Sequence, residues 1–198
     1  MWSVPRSWPG QTVFIAAGGP SLTPETAKGL LGRRVIAINS AWKVVPEADY
    51  VFFADARWWR HFKPKFQGVG VTTSELKHPN VMQLNKVEPF ALSADPHNLA
   101  LRRTSVSGAI NMAVHLGASR IVLLGVDGKF SADGKRHGHY DKYPWNFKKG
   151  CFDEHAAEFA KIAPSARKMG VEIVNANPDS RIDVWPKHSL QDCLCLTA

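Results

Sequence analysis

A chain of 198 residues with 44% hydrophobic content can bury a substantial core, and no shift in composition marks a second unit, so a single domain over 1–198 is expected. The 25 basic residues against 17 acidic give a net charge of +8, which favours phosphorylated or polyanionic ligands; the basic residues are scattered, which excludes a long basic tail. Three cysteines, Cys151, Cys193 and Cys195, exclude a disulfide framework and a cysteine-rich zinc site. Residues 1–10 lack the apolar core of a signal peptide and no long apolar run follows, so a cytoplasmic protein with no membrane partner is expected.

In chain order, the first strand is expected at 12–17, where TVFIAA runs into the turn Gly18-Gly19-Pro20-Ser21. The two glycines permit positive φ and close approach of a ligand to the backbone. Thr23 is the expected N-cap of a helix over 24–31, with Pro24 at its first position and Glu25 in its first turn, and such a start aims N–H groups at an anion. The spacing is neither GxGxxG nor a P-loop, and a strand-to-helix turn without a ligand is the alternative. Further strands are expected at 34–38, 50–54, 68–72, 81–84, 120–126 and 171–175, and helices at 57–62, 105–116 and 153–169. Short continuous apolar strands alternating with helices predict an α/β, Rossmann-like fold, a mainly parallel sheet flanked by helices. Pro164 is expected to kink or split the last helix, and Gly170 to stop it. Two stretches, near 88–103 and 128–150, are expected to be irregular.

Ligands of parallel α/β sheets bind beyond the carboxyl ends of the strands. The residues there are Gly18 and Gly19, then Asn39, Asp55 and Asp127, with 175–177 after the last strand. Asn and Asp open many loops for local reasons, so their shared edge is what points to a site. Thr104, Ser105, Ser107 and Gly108 open the 105–116 helix, where hydroxyls and N–H groups can meet a phosphate, although N-capping explains the hydroxyls as well. His115 is read as a core or rim residue. His137, His139 and His155 are the candidate general bases, since imidazole titrates near neutrality. Two histidines at 137 and 139 make a weak metal motif, and no metal site is expected. Trp58 and Trp59 beside Arg57 and Arg60 could stack on bases, although such a pair more often anchors a helix. The 128–150 segment is expected to be a mobile lid carrying the catalytic histidine, or an excursion pinned by Tyr140, Tyr143 and Trp145.

GGPSL after the first strand, an Asn after the second, an Asp after the third and SVSGAINMAVHLGASRIVLLGVD together support a resemblance. The chain resembles the superfamily containing bacterial CMP-sialic-acid-dependent sialyltransferases and archaeal hydroxymethylpterin pyrophosphokinases. It is closer still to small bacteriophage and bacterial proteins that share Gly-Pro-Ser-Leu, Asn-x-Ala-Trp, Asp-x-Arg-Trp-Trp and a His-rich loop. The resemblance implies that Gly18, Gly19, Pro20, Ser21, Asn39, Ser107 and Gly108 surround a donor nucleotide, with Asp55 and Asp127 at matching strand ends. Where the sialyltransferases carry tyrosines for the donor phosphate, this chain carries Lys129 and Lys135.

The expected function is that of a glycosyltransferase-like enzyme of phage type using a nucleotide-activated donor. His139 is the first choice of base, followed by His137 and His155, and no cofactor is required. One alternative is a pyrophosphoryl transferase in which Asp55 and Asp127 hold Mg²⁺. Another is a protein that binds or modifies nucleic acid through its basic surface. The oligomeric state is left open.

Overall fold

A computed structural model describes residues 2–132, 142–145 and 148–195. Its centre is a seven-stranded, wholly parallel sheet. The strands are β1 (Thr12–Ala16), β2 (Arg34–Ile38), β3 (Tyr50–Phe53), β4 (Val69–Thr72), β5 (Val81–Gln83), β8 (Arg120–Leu124) and β9 (Glu172–Asn175). They lie in the order β5-β4-β3-β2-β1-β8-β9. Period-two side-chain alternation sends Val13 and Ile15 of β1 to one face and Phe14 and Ala16 to the other, and both faces are buried. That two-sided burial is why the strands read as unbroken apolar runs.

The Val13 face is covered by α3 (Ser105–Leu116) and α4 (Cys151–Lys168), with Val4 and Trp8 of the amino-terminal segment. On the Phe14 face, α1 (Pro24–Lys28), α2 (Ala56–Phe62) and the carboxy-terminal α5 (Leu190–Cys195) pack through Ala27, Trp58 and Cys193. Because the chain steps outward from β1 to β5 on one side and then returns to place β8 on the other, the topological switch point lies between β1 and β8. The connections leaving these two strands diverge to opposite faces and open a crevice at their carboxyl ends.

The Rossmann-like architecture agrees with the sequence reading, and four details correct it. The 88–103 stretch is not wholly irregular: β7 (Asn98–Ala100) pairs in parallel with β6 (Asn85–Val87) as a separate two-stranded sheet. Buried Asn111 of α3 secures this region, its Oδ1 accepting from the Ser93 and Ala100 amides at 2.8 and 3.0 Å and its Nδ2 donating to the Ser93 carbonyl. Pro164 does not split α4, which runs unbroken around it. Phe159, Ile162, Ala163 and Ala166 keep the helix on the core, while Ala160, whose carbonyl loses its partner to the proline, lies exposed. Asn39–Lys43 forms a 3₁₀ turn, and α5 forms where no helix was read.

Candidate functional site

At the switch point, the ends of β1 and β8 are bonded to each other before they part. Ala17 N donates to the Leu124 carbonyl at 2.8 Å and Gly19 N to the Gly125 carbonyl at 2.9 Å. A Cβ on Gly19 would sit 2.4 Å from that carbonyl oxygen and 2.7 Å from Asp127 Oδ2, so position 19 requires glycine for close approach. Neither Gly18 nor Gly19 uses the positive φ that glycine permits; Gly125 and Gly128, on either side of Asp127, do, at φ 67° and 63°.

Buried Asp127 clamps this turn. Its Oδ2 accepts from Ser21 N at 2.8 Å, and its Oδ1 from Ser21 Oγ at 2.5 Å and Asn177 Nδ2 at 2.8 Å. Asn175, the last residue of β9, is fully buried and donates to the Val126 carbonyl and to Ser180 Oγ, so it and Asn177 build the loop that follows. Asp55 caps α2 through Arg57 N and takes the Arg57 guanidinium on both oxygens. Burial pushes the Asp55 carboxyl up, but the Arg57 hydrogen bonds and charge outweigh it and hold the carboxyl below its usual range.

A cavity of about 320 Å³ opens over these strand ends. Of the residues singled out in the sequence, Gly18, Gly19, Asn39, Asp55, Asp127, Lys129 and His155 line it. Pro20 and Ser21 do not; Ser21 is occupied with Asp127. Ser107 is fully buried beneath the cavity lining, with an Oγ that has no hydrogen-bond partner among the described residues. Gly108 faces the sheet, where a Cβ would lie 2.8 Å from the Phe52 ring, and so lets α3 settle on β3. Lys135, His137 and His139 lie outside the described residues, as does the central part of the expected lid.

Asn39 has a left-handed φ of 50°, a conformation that asparagine tolerates, and its Oδ1 is buried without a partner among the described residues. Thr104, Ser105 and Val106 bring the amino terminus of α3 to the wall. Thr104 Oγ1 caps one first-turn amide, Val106 N, at 3.2 Å, and helix geometry leaves the other first-turn N–H groups without intrahelical acceptors. The α1 start differs: a Thr23–Thr26 capping box closes it, and neither residue reaches the cavity.

His155 stands in the first turns of α4, beside Phe152. Burial pushes its pKa below the ordinary imidazole value, against the opposing pull of Glu158, the Arg103 backbone and Glu154. The ring is therefore neutral near pH 7, the form that can accept a proton. His115 is pushed down in the same way but lies away from the cavity, hydrogen-bonded to Asn111 and the Asn98 carbonyl.

Sequence reasoning missed Arg103, Phe130, Phe152 and Ile182 as lining residues. Phe130 and Phe152 come together with ring centroids 5.1 Å apart, although they lie 22 positions apart in the chain, and no local pattern announces such a pair. Tyr143 and Trp145 line the wall near α2 and stack on each other at 5.3 Å and 7°. Trp58 is buried at 2% exposure, donating to Ser40 Oγ at 2.9 Å, and Trp59 stacks on Phe53, so the tryptophan pair anchors α2 to the core. Among the described residues no group of three or more His, Cys, Asp or Glu is placed to hold a metal ion, and no helix is long and apolar enough to cross a membrane.

No protein-family model matches the chain, and no curated protein matches its sequence. Solved structures do match in shape. One is the sialyltransferase CstII from Campylobacter jejuni in complex with a substrate analogue, cytidine-5′-monophosphate. It aligns with a TM-score of 0.55 at 12% identity over 90% of this chain and 85% of that one. The same enzyme in complex with CMP-3FNeuAc aligns with a TM-score of 0.55 at 10% identity, covering 90% and 86%. With its parallel sheet and crevice at the switch point, the chain is a Rossmann-like α/β protein whose fold is similar to that of the CstII sialyltransferase.

Proposed function

We propose that this chain is a glycosyltransferase-like enzyme that takes a nucleotide-activated sugar into the cavity over β1 and β8. The observation that carries the reading is the convergence, in one cavity at the switch point, of a helix amino terminus, a lysine and a neutral histidine. The fold likeness to an enzyme solved with CMP and CMP-3FNeuAc adds support.

In this reading the donor phosphate lies against the first-turn N–H groups of α3 and near Lys129, which together stabilise charge on the departing nucleotide. The bond between the transferred sugar and the phosphate oxygen breaks, and its electron pair leaves with the nucleotide. An acceptor hydroxyl oxygen forms the new glycosidic bond and gives its proton to His155, the one of the three candidate histidines that lies among the described residues. For the pyrophosphoryl-transfer alternative, metal binding at Asp55 and Asp127 would compete with Arg57, Ser21 and Asn177 for the same oxygens. For the nucleic-acid alternative, Trp58 touches the cavity but is only 2% exposed and is tied to Ser40, so its ring is packed in the core.

A thermal-unfolding screen of nucleoside phosphates and nucleotide-sugars tests the reading, because a ligand of the native state raises the transition. One nucleotide class is expected to stabilise the wild type. Lys129→Ala and Ser105→Glu are expected to lose that stabilisation; the glutamate suits a helix start but repels a phosphate there. If no nucleotide stabilises the protein, or both variants keep the full effect, the reading fails.

A further inference from the structure

Half of the net charge falls on one side of the molecule. Residues 55–87 hold six basic side chains, Arg57, Arg60, Lys63, Lys65, Lys77 and Lys86, against Asp55 and Glu75, which is +4 of the chain's +8. Asp55 is taken up by Arg57, whereas Lys63, Lys65 and Lys77 are exposed and in no ion pair with any described residue. Lys65 lines a groove of about 650 Å³, and Lys63 and Lys77 adjoin it in the chain through the lining residues Pro64 and His78. The groove lies at the amino ends of β4 and β5, the opposite end of the parallel sheet from the cavity. The loop entering β4 contributes Lys65, Phe66 and Gln67, and the loop entering β5 contributes His78, Pro79 and Asn80. No carboxylate is among its described lining residues.

Its lining is apolar as well as basic. Val69 is 39% exposed there, beside half-buried Phe66 and Met82. Trp59, stacked on Phe53 and met by His78 at 4.9 Å, backs this surface rather than offering a free face. His78 Nδ1 accepts from Asn80 N at 3.2 Å, so Nε2 carries the ring proton and is left to donate. The exposed Gln67 and Asn80 amides can both donate and accept. Unpaired lysines around an apolar surface with amides at its edge suit a ligand whose every unit joins a phosphate to a flat base. An acidic peptide would satisfy the lysines, but its charged side chains would leave the apolar surface uncovered. A duplex keeps its bases stacked away from it. We propose that this groove docks single-stranded nucleic acid, with phosphates against Lys63, Lys65 and Lys77 and a base on Phe66, Val69 and Met82. The surface is separate from the cavity and does not rest on the transferase reading.

Fluorescence polarisation on the full chain tests the proposal, with labelled oligothymidylate and oligouridylate of about 15 nucleotides, near the upper site size of a single-strand-binding domain. A duplex of the same length and a labelled polyglutamate serve as competing probes. Both single strands are expected to bind more tightly than either. The double variant Lys65→Glu/Lys77→Glu should weaken them at least about tenfold, and should lower the slope of log affinity against log salt by about 1.4, the share of two phosphate contacts. His78→Ala should weaken them about fivefold with the slope unchanged. Lys161→Glu/Lys168→Glu makes the same charge change on exposed residues of α4, across the sheet, and should retain most of the affinity. Absence of single-strand binding at about 50 mM salt overturns the proposal, as does an equal loss in the α4 variant. Tighter binding of the duplex, or of polyglutamate, overturns it in favour of a duplex or an acidic peptide. Stabilisation of the fold by a mononucleotide is expected to be the same in every variant, present or absent, so failure of the transferase reading leaves this result readable.

Discussion

Gly19→Ala probes the junction on which the site is built. The added Cβ would meet the Gly125 carbonyl oxygen at 2.4 Å and Asp127 Oδ2 at 2.7 Å, distances that real Cβ atoms do not adopt, and neither neighbour is a flexible side-chain end. Gly125 is backbone, and Asp127 is held by Ser21 and Asn177. Relief must come from moving β1 and β8 apart at their ends. Overpacking of this kind costs about 1–3 kcal/mol, and losing the 2.9 Å Gly19–Gly125 hydrogen bond adds about 1 kcal/mol. A total of about 2–4 kcal/mol lowers the unfolding temperature of a domain this size by on the order of 5–15 °C. Gly170→Ala is the control: Gly170 has a φ of 73° with nothing within 4 Å of a Cβ, so only backbone strain of about 1–2 kcal/mol applies. Calorimetry or a dye-based melt reads both, and titration with the stabilising nucleotide reads the site. If Gly19→Ala melts no lower than Gly170→Ala and keeps wild-type nucleotide affinity, the account of the β1–β8 junction is wrong.

Three further outcomes follow from charge and burial. His155 and His115 are both depressed below 6.5 in the folded state, so between those depressed values and 6.5 the unfolded chain binds more protons. Their contribution to stability is complete above 6.5 and is lost as pH falls through that window; urea midpoints should drop as pH is lowered from 7 through 6.5 and below, less steeply in His115→Gln. His155→Gln should lower turnover far more than donor affinity and remove the acid limb of the rate profile, and unchanged turnover would exclude His155 as the base. Glu158 is buried on α4 and accepts from Arg102 N at 3.2 Å and Arg103 N at 2.6 Å, holding the approach to α3. Glu158→Gln turns an amide toward one of those donors and should cost about 1–3 kcal/mol; a wild-type urea midpoint would show that the carboxylate does not hold this turn.

Local physics made much of this protein readable in its sequence. The seven strands of the main sheet are short apolar runs because each is buried on two faces, and that condition is written into consecutive residues. Thr23, Pro24 and Thr104 mark helix starts because capping acts within three residues. Asp127 and Asn39 could be placed at strand ends for the same reason, and they do line one cavity. What a polar residue faces at a strand end is a long-range matter. Asp127 serves Ser21, 106 positions away, and Gly19 needs its missing Cβ because of Gly125. Ser107 and Gly108 share the helix start with Ser105, but helical rotation turns them into the core while Ser105 meets the cavity. The two-stranded β6–β7 sheet, with three-residue strands too short for a periodic signal, was decided by Asn111 and the packing around it. The aromatic walls were decided in the same way, because Phe130 with Phe152 and Tyr143 with Phe62 meet only once α4 and α2 have taken their places on opposite faces of the sheet.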